Sequence, residues 1–171
     1  MPVNIEIKAR VADIEALKQR AQTLSDTPVE IIPQEDIFFR TGKGRLKLRI
    51  ISPDEGWLIY YERPDQDGPK RSDYHFSRTG EPDTLKKVLT EALGLRGVVR
   101  KTRYLYLAGQ TRIHVDEVEG LGHFMELEVV LREGQTDAEG QSIAEDLMRR
   151  LGIRGDDLLE GAYMDLLESE K

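Results

Sequence analysis

The eight residues from Val3 to Arg10 alternate strictly, with Val3, Ile5, Ile7 and Ala9 on one face and Asn4, Glu6, Lys8 and Arg10 on the other. Side chains two apart share a strand face, so this run predicts a β-strand, and its polar face carries charges of both signs. The same spacing returns four times. Arg45-Leu-Lys-Leu-Arg49 and Lys101-Thr-Arg103 make basic stripes, Glu126-Leu-Glu128 an acidic one, and Arg112-Ile-His-Val-Asp116 a mixed one. One such stripe is ordinary on a sheet wetted on one side. Five of them point to a sheet closed into a barrel, with its charged face inward and its apolar face under helices.

Electrostatics then limits what such an interior can hold. Like charges two residues apart on a strand lie about 7 Å apart and repel by about 2 kcal/mol at an effective dielectric near 20. Gathered in one lumen, Arg45, Lys47, Arg49, Lys101 and Arg103 would call for a bound polyanion to offset their repulsion. A triphosphate suits them, because Arg pairs phosphate oxygens bidentately and Lys supplies point charge. The carboxylates of Glu6, Glu126, Glu128 and Asp116 would be poor phosphate neighbours without a hard cation between. Mg²⁺ or Mn²⁺ is therefore the expected cofactor.

The rest of the chain reads as strands with separate helices. Ile14, Leu17, Ala21 and Leu24 recur at helical spacing behind Asp13, and Leu85, Val88, Leu89, Ala92 and Leu93 do so between Pro82 and Gly94. Thr136 and Glu139 form a capping-box pair ahead of a third helix that stops at Gly152. Strands are expected at Ile31–Ile32 with 36–40, 45–50, 57–61, 72–78, 98–107, 111–117 and 123–131, and a short element at 158–167. The fold class is α+β: an antiparallel barrel with helices outside, in one domain spanning residues 1–171.

Composition narrows the partners. Thirty-two acidic residues against 25 Lys and Arg give a formal charge of -7, which disfavours nucleic acid and anionic membrane as partners. With no cysteine there is no thiolate ligand or nucleophile. The charged N-terminus and the absence of a long apolar window predict a cytoplasmic protein without a membrane span. A compact barrel of this size is suited to pairing as a homodimer through a rim or a helix.

Taken together, these stripes resemble the CYTH domain family, the triphosphate tunnel metalloenzymes that include class IV adenylyl cyclases and thiamine triphosphatases. Asn4-Ile-Glu6-Ile-Lys8 matches the family's Glu-x-Glu-x-Lys signature, with Asn4 in place of the first glutamate. The four later stripes follow in family order, and Gly120-Leu-Gly122 and Tyr163-Met-Asp-Leu-Leu167 are similar to the cyclase-like branch. The resemblance implies an eight-stranded tunnel in which Lys8, Arg45, Lys47, Arg49, Lys101, Arg103 and Arg112 bind triphosphate. It assigns Glu6, Glu126 and Glu128 to the metal, and Asp116 to the metal or the nucleophile. Glu6, Lys8 and Asp116 are the catalytic candidates. The family's further lysine, on the strand here occupied by Trp57–Tyr61, has Arg63 or Lys70 as its substitute. Three activities stay open: hydrolysis of inorganic, nucleoside or thiamine triphosphate, cyclisation of ATP to cyclic AMP and pyrophosphate, and binding of polyphosphate or nucleotide without turnover.

Overall fold

The computed structural model describes residues 3–62, 68–159 and 163–169. Its eight strands are β1 (Val3–Arg10), β2 (Glu30–Phe39), β3 (Arg45–Ser52), β4 (Glu55–Glu62), β5 (Lys70–Thr79), β6 (Leu95–Ala108), β7 (Thr111–Val118) and β8 (Gly122–Val130). Four helices accompany them: α1 (Ile14–Leu24), α2 (Pro82–Leu93), α3 (Asp137–Leu151) and α4 (Tyr163–Ser169). The strands close into an antiparallel barrel in the order β1-β5-β4-β3-β2-β6-β7-β8, and β8 pairs back onto β1 through Glu6↔Glu128 and Lys8↔Glu126. This is the expected α+β barrel.

The helices begin where the sequence places their caps. Asp13 accepts a hydrogen bond from the Ala16 backbone at 3.1 Å, and Thr136 and Glu139 form a reciprocal capping box. Ile31–Ile32 and residues 36–39 belong to one continuous strand rather than two pieces, with Pro33 inside it. Proline lacks a donor, and at Pro33 β2 is paired only with β6, since its pairing with β3 starts at Glu35.

The main hydrophobic core lies outside the barrel wall. Ile5, Ile7 and Ala9 of β1, Ile113 and Val115 of β7, and Met125, Leu127 and Val129 of β8 pack under Leu17 and Ala21 of α1 and Ala144, Leu147 and Leu151 of α3. Gly140 lets α3 approach closely, because a Cβ there would sit 2.6 Å from side-chain atoms of Ile5 and Leu131. Leu85 and Leu89 of α2 cover Ile37, Phe39 and Leu48. Each fully buried aliphatic side chain contributes roughly 1.5–3 kcal/mol. The burial that holds the helices on thereby turns the other strand face inward. Among the described residues no helix is long and apolar enough to cross a membrane.

Candidate functional site

Alternate residues of the strands line a cavity of about 520 Å³ inside the barrel. Its wall includes Asn4, Glu6 and Lys8 of β1, Lys47 and Arg49 of β3, Lys101 and Arg103 of β6, Arg112 and His114 of β7, and Glu126 and Glu128 of β8. The volume falls in the range of small-ligand sites, and an eight-stranded barrel is just wide enough for one small ligand.

On the basic side, the cations are not left to repel one another. Asp36 of β2 is buried at 1% exposure and receives a bidentate pair from Arg49 at 2.8 Å each. Lys101 Nζ lies 3.1 Å from the same carboxylate and Lys47 Nζ 3.6 Å. Burial alone would raise the Asp36 pKa, but Arg49, Lys101 and Lys47 hold it well below the usual range. Asp116 plays the same part for Arg103, which donates to both its oxygens at 2.9 and 2.8 Å. The expectation that a bound polyanion must relieve the lumen's repulsion is thus corrected, because two buried aspartates already relieve part of it. Lys47 nonetheless stays strained: burial and Arg49 push it down to about 7, with only partial relief from Asp36. Lys101 is lowered as well, by burial and by Arg103.

The acidic side is built by β1 and β8, whose register sets Glu6 opposite Glu128 and Lys8 opposite Glu126. Asn4 donates to Glu128 at 3.0 Å, and Arg103 and Arg112 stand 3.7 Å from Glu126 and 3.9 Å from Glu128. His114 Nδ1 is 2.9 Å from Glu128. Burial and Arg103 lower the imidazole's pKa, so it is neutral near pH 7. Burial would raise Glu128, yet the His114 contact, Arg112 and Arg103 keep it well below the ordinary range. Lys70, 1% exposed, lies opposite Glu6 on the inward face of β5.

This donor set fits a hard divalent cation. Three carboxylates occupy adjacent register positions, and Asn4 Oδ1 is a buried acceptor without a hydrogen-bond partner among the described residues. Among the described residues no three His, Asp or Glu side chains form a ready-made cage. Mg²⁺ needs none, since it keeps several waters and commonly takes one or two carboxylates together with substrate phosphates.

One end of the cavity is closed by α4. Tyr163 reaches inside, donates to Asp116 at 2.7 Å, and carries Lys8 and Lys101 over its ring at 4.1 and 5.1 Å. Burial, Asp116 and Glu126 hold its phenol well above the normal pKa, so it is a neutral donor. Asp165, also on α4, pairs with Arg45 and Arg96.

The structure therefore gathers Glu6, Lys8, Lys47, Arg49, Lys101, Arg103, Arg112, Glu126 and Glu128 around one cavity. Arg45 is not in that wall and holds α4 through Asp165, while Asp116 lies behind Arg103 with both oxygens engaged. Arg63 lies outside the described residues. Sequence reading missed Asp36, whose alternation with Gln34 and Ile32 was a usable but weak signal beside the apolar Ile37-Phe-Phe39.

A family model for the CYTH domain matches residues 3–163. The chain belongs to the CYTH domain family. Among its curated relatives is the Aeromonas hydrophila protein named adenylate cyclase CyaB, 25% identical over 96% of this chain and 88% of its own length. The structure of the PH1012 protein from Pyrococcus horikoshii superposes with a TM-score of 0.83 at 25% identity, covering 95% of this chain and 98% of the other. The Hippeastrum protein HpAC1, described as an adenylyl cyclase candidate with a dominant triphosphatase activity, gives 0.70 at 16% identity over 100% and 97% of the two chains. The charged barrel described above is thus a CYTH tunnel.

Proposed function

We propose that this CYTH chain hydrolyses a triphosphate compound with a divalent metal, Mg²⁺ or Mn²⁺. The observation that carries the reading is one cavity lined by basic side chains of β3, β6 and β7 together with acidic side chains of β1 and β8. Lys47, Arg49, Lys101, Arg103 and Arg112, with Lys8, grip the phosphates and stabilise charge that develops on the oxygens during transfer. Glu6, Glu126 and Glu128, helped by the Asn4 amide oxygen, hold the metal, which when bound supplies Lewis-acid neutralisation of the phosphate oxygens. A water oriented by this acidic wall attacks the terminal phosphorus. The bridging P–O bond breaks, and a carboxylate of the wall takes the proton. Asp116 fixes the Arg103 guanidinium and Tyr163, and Arg45 fixes α4. Hydrolysis asks nothing more of the site than this grip, a cation and a water.

A second reading, cyclisation of ATP by its ribose 3′-hydroxyl, is favoured by the relative named adenylate cyclase CyaB. It requires in addition that the ribose be held against the α-phosphate. Product identity separates the two. The protein is incubated with ATP, and separately with inorganic triphosphate, each with Mg²⁺ or Mn²⁺, and products are resolved by anion-exchange chromatography. Orthophosphate release is the expected result. Cyclic AMP with pyrophosphate would replace it by the cyclase reading, and retention of the triphosphate without product would make the chain a binding module.

A further inference from the structure

A cavity lined by Lys8, Lys47, Arg49, Lys101, Arg103 and Arg112 has to let an anion go as well as capture one. Hydrolysis of inorganic triphosphate leaves diphosphate, hydrolysis of ATP leaves ADP, and cyclisation of ATP leaves pyrophosphate. In each case two linked phosphates stay behind among the cations that held the substrate. Binding energy shared equally by every bound state lowers KM without speeding the chemistry, and product release then sets the rate.

The two buried aspartates on the basic side stand differently toward that anion. Asp116 lies behind Arg103, with its oxygens engaged by Arg103 and Tyr163. Asp36 is part of the cavity wall itself. Its oxygens accept from Arg49 Nε and Nη2 at 2.8 Å each, and Oδ2 also meets Lys101 Nζ at 3.1 Å and Lys47 Nζ at 3.6 Å. These are the charge-assisted contacts that a phosphate oxygen would make with the same three side chains. Register fixes the carboxylate between the strands that carry them, because Asp36 is the cross-strand partner of Arg49 on β3 and Gln34, on the same face of β2, is that of Lys101 on β6.

We propose that Asp36 is a positioning residue for product release: a resident carboxylate that occupies one edge of Arg49, shares Lys101 and Lys47, and thereby weakens their hold on the diphosphate group that turnover leaves. It holds the three cations in place while the tunnel is empty and loosens them toward any anion that enters. The cost is a higher KM, and the gain is a product that leaves. This rests on the triphosphate reading given above, and it applies to hydrolysis and cyclisation alike because both leave linked phosphates. For a phosphate about 7 Å away, across the shared cations, the repulsion from one carboxylate at an effective dielectric near 20 corresponds to roughly ten- to fifty-fold in affinity.

The test pairs isothermal titration of pyrophosphate with steady-state kinetics on inorganic triphosphate and on ATP, each with Mg²⁺, for wild type, Asp36→Asn and Gln34→Glu. Asp36→Asn removes the charge and keeps the shape, and it is expected to bind pyrophosphate roughly tenfold tighter or more, with kcat and KM falling together. That joint fall marks a trapped ligand, whereas damage to the fold alone would raise KM and weaken pyrophosphate. Gln34→Glu adds a carboxylate beside Lys101 with little change of shape, at a side chain that is 8% exposed, and is expected to weaken pyrophosphate by a similar factor. This second variant gives the opposite sign and decides the matter if Asp36→Asn does not fold. Pyrophosphate affinity that is unchanged or weaker in folded Asp36→Asn, or unchanged or tighter in Gln34→Glu, overturns the release role while leaving the triphosphate grip standing. Wild-type protein that binds triphosphate without turnover has nothing to release and also overturns it. Wild-type protein that binds neither anion overturns the grip and the release role together.

Discussion

Asp36 carries the sharpest consequence of the structure, because three cations share its one negative charge. Asp36→Asn keeps the shape and an acceptor oxygen, so what it removes is charge. The carboxylate and the Lys101 ammonium are 2% and 3% exposed, and Arg49 is 16% exposed, so water screens the loss poorly. Breaking a buried ion pair from one side costs about 3–5 kcal/mol, and the retained amide places this case near the lower figure. For a domain of this size each kcal/mol moves the melting temperature by about 2–4 °C, giving a fall of roughly 6–12 °C without ligand. Inorganic triphosphate should narrow that gap, since the variant lumen carries one more net positive charge and its own ligand affinity rises. The linkage is large enough to see: ligand at 100 times its Kd stabilises by about 2.7 kcal/mol. Removing a neighbouring cation as well, in Asp36→Asn/Lys47→Met, should recover part of the ligand-free loss. Melts by circular dichroism with and without the polyanion check all three points. A ligand-free variant melting within about 2 °C of wild type, or a gap unchanged by the polyanion, would refute the shared counter-ion argument.

Glu126→Gln should lower metal-dependent turnover by about 100-fold or more, the scale on which one charge-stabilising group acts, while metal-free triphosphate binding by calorimetry stays largely intact. Unchanged turnover removes Glu126 from the metal set. Lys47 gives a pH signature of defined sign. Its pKa is about 7 in the folded protein and about 10.4 in the unfolded chain, so between these values the unfolded state binds more protons. Ligand-free stability contributed by this group therefore rises with pH across that window, by at most about 1.4 kcal/mol per pH unit, and is level below it. Urea unfolding across the window should show a wild-type slope that Lys47→Met reduces, and equal slopes would contradict the lowered pKa. Tyr163→Phe deletes a buried hydrogen bond to a charged acceptor and should cost about 1.5–3 kcal/mol in the same assay. No change there would mean that the phenol does not hold the end of the tunnel.

The strand faces were legible in the sequence because a period of two is local: Glu6 and Lys8 share a face whatever the rest of the chain does. The helix starts at Asp13 and Thr136 were legible for the same reason, since a cap reaches only three residues along the chain. The basic and acidic sets lining the cavity could be named in advance on that footing, together with the kind of ligand they suit.

Which side of the sheet those charges face is not a local property. It follows from β8 closing on β1, and from apolar residues as distant as Ile5 and Ala144 burying one another outside the wall. Tertiary structure alone also decided the counter-ions. Asp36 meets Lys101, 65 residues away, and Tyr163 meets Asp116, 47 residues away, so neither pairing leaves a trace in any short window of sequence. The same long-range geometry moved Arg45 from the cavity wall to the Asp165 contact, set Lys70 opposite Glu6, and brought Trp57 and Phe76 together at the open end. Side-chain alternation thus determined what each strand offers. Barrel closure determined what those offerings meet, because it alone fixes distances between residues far apart in the chain.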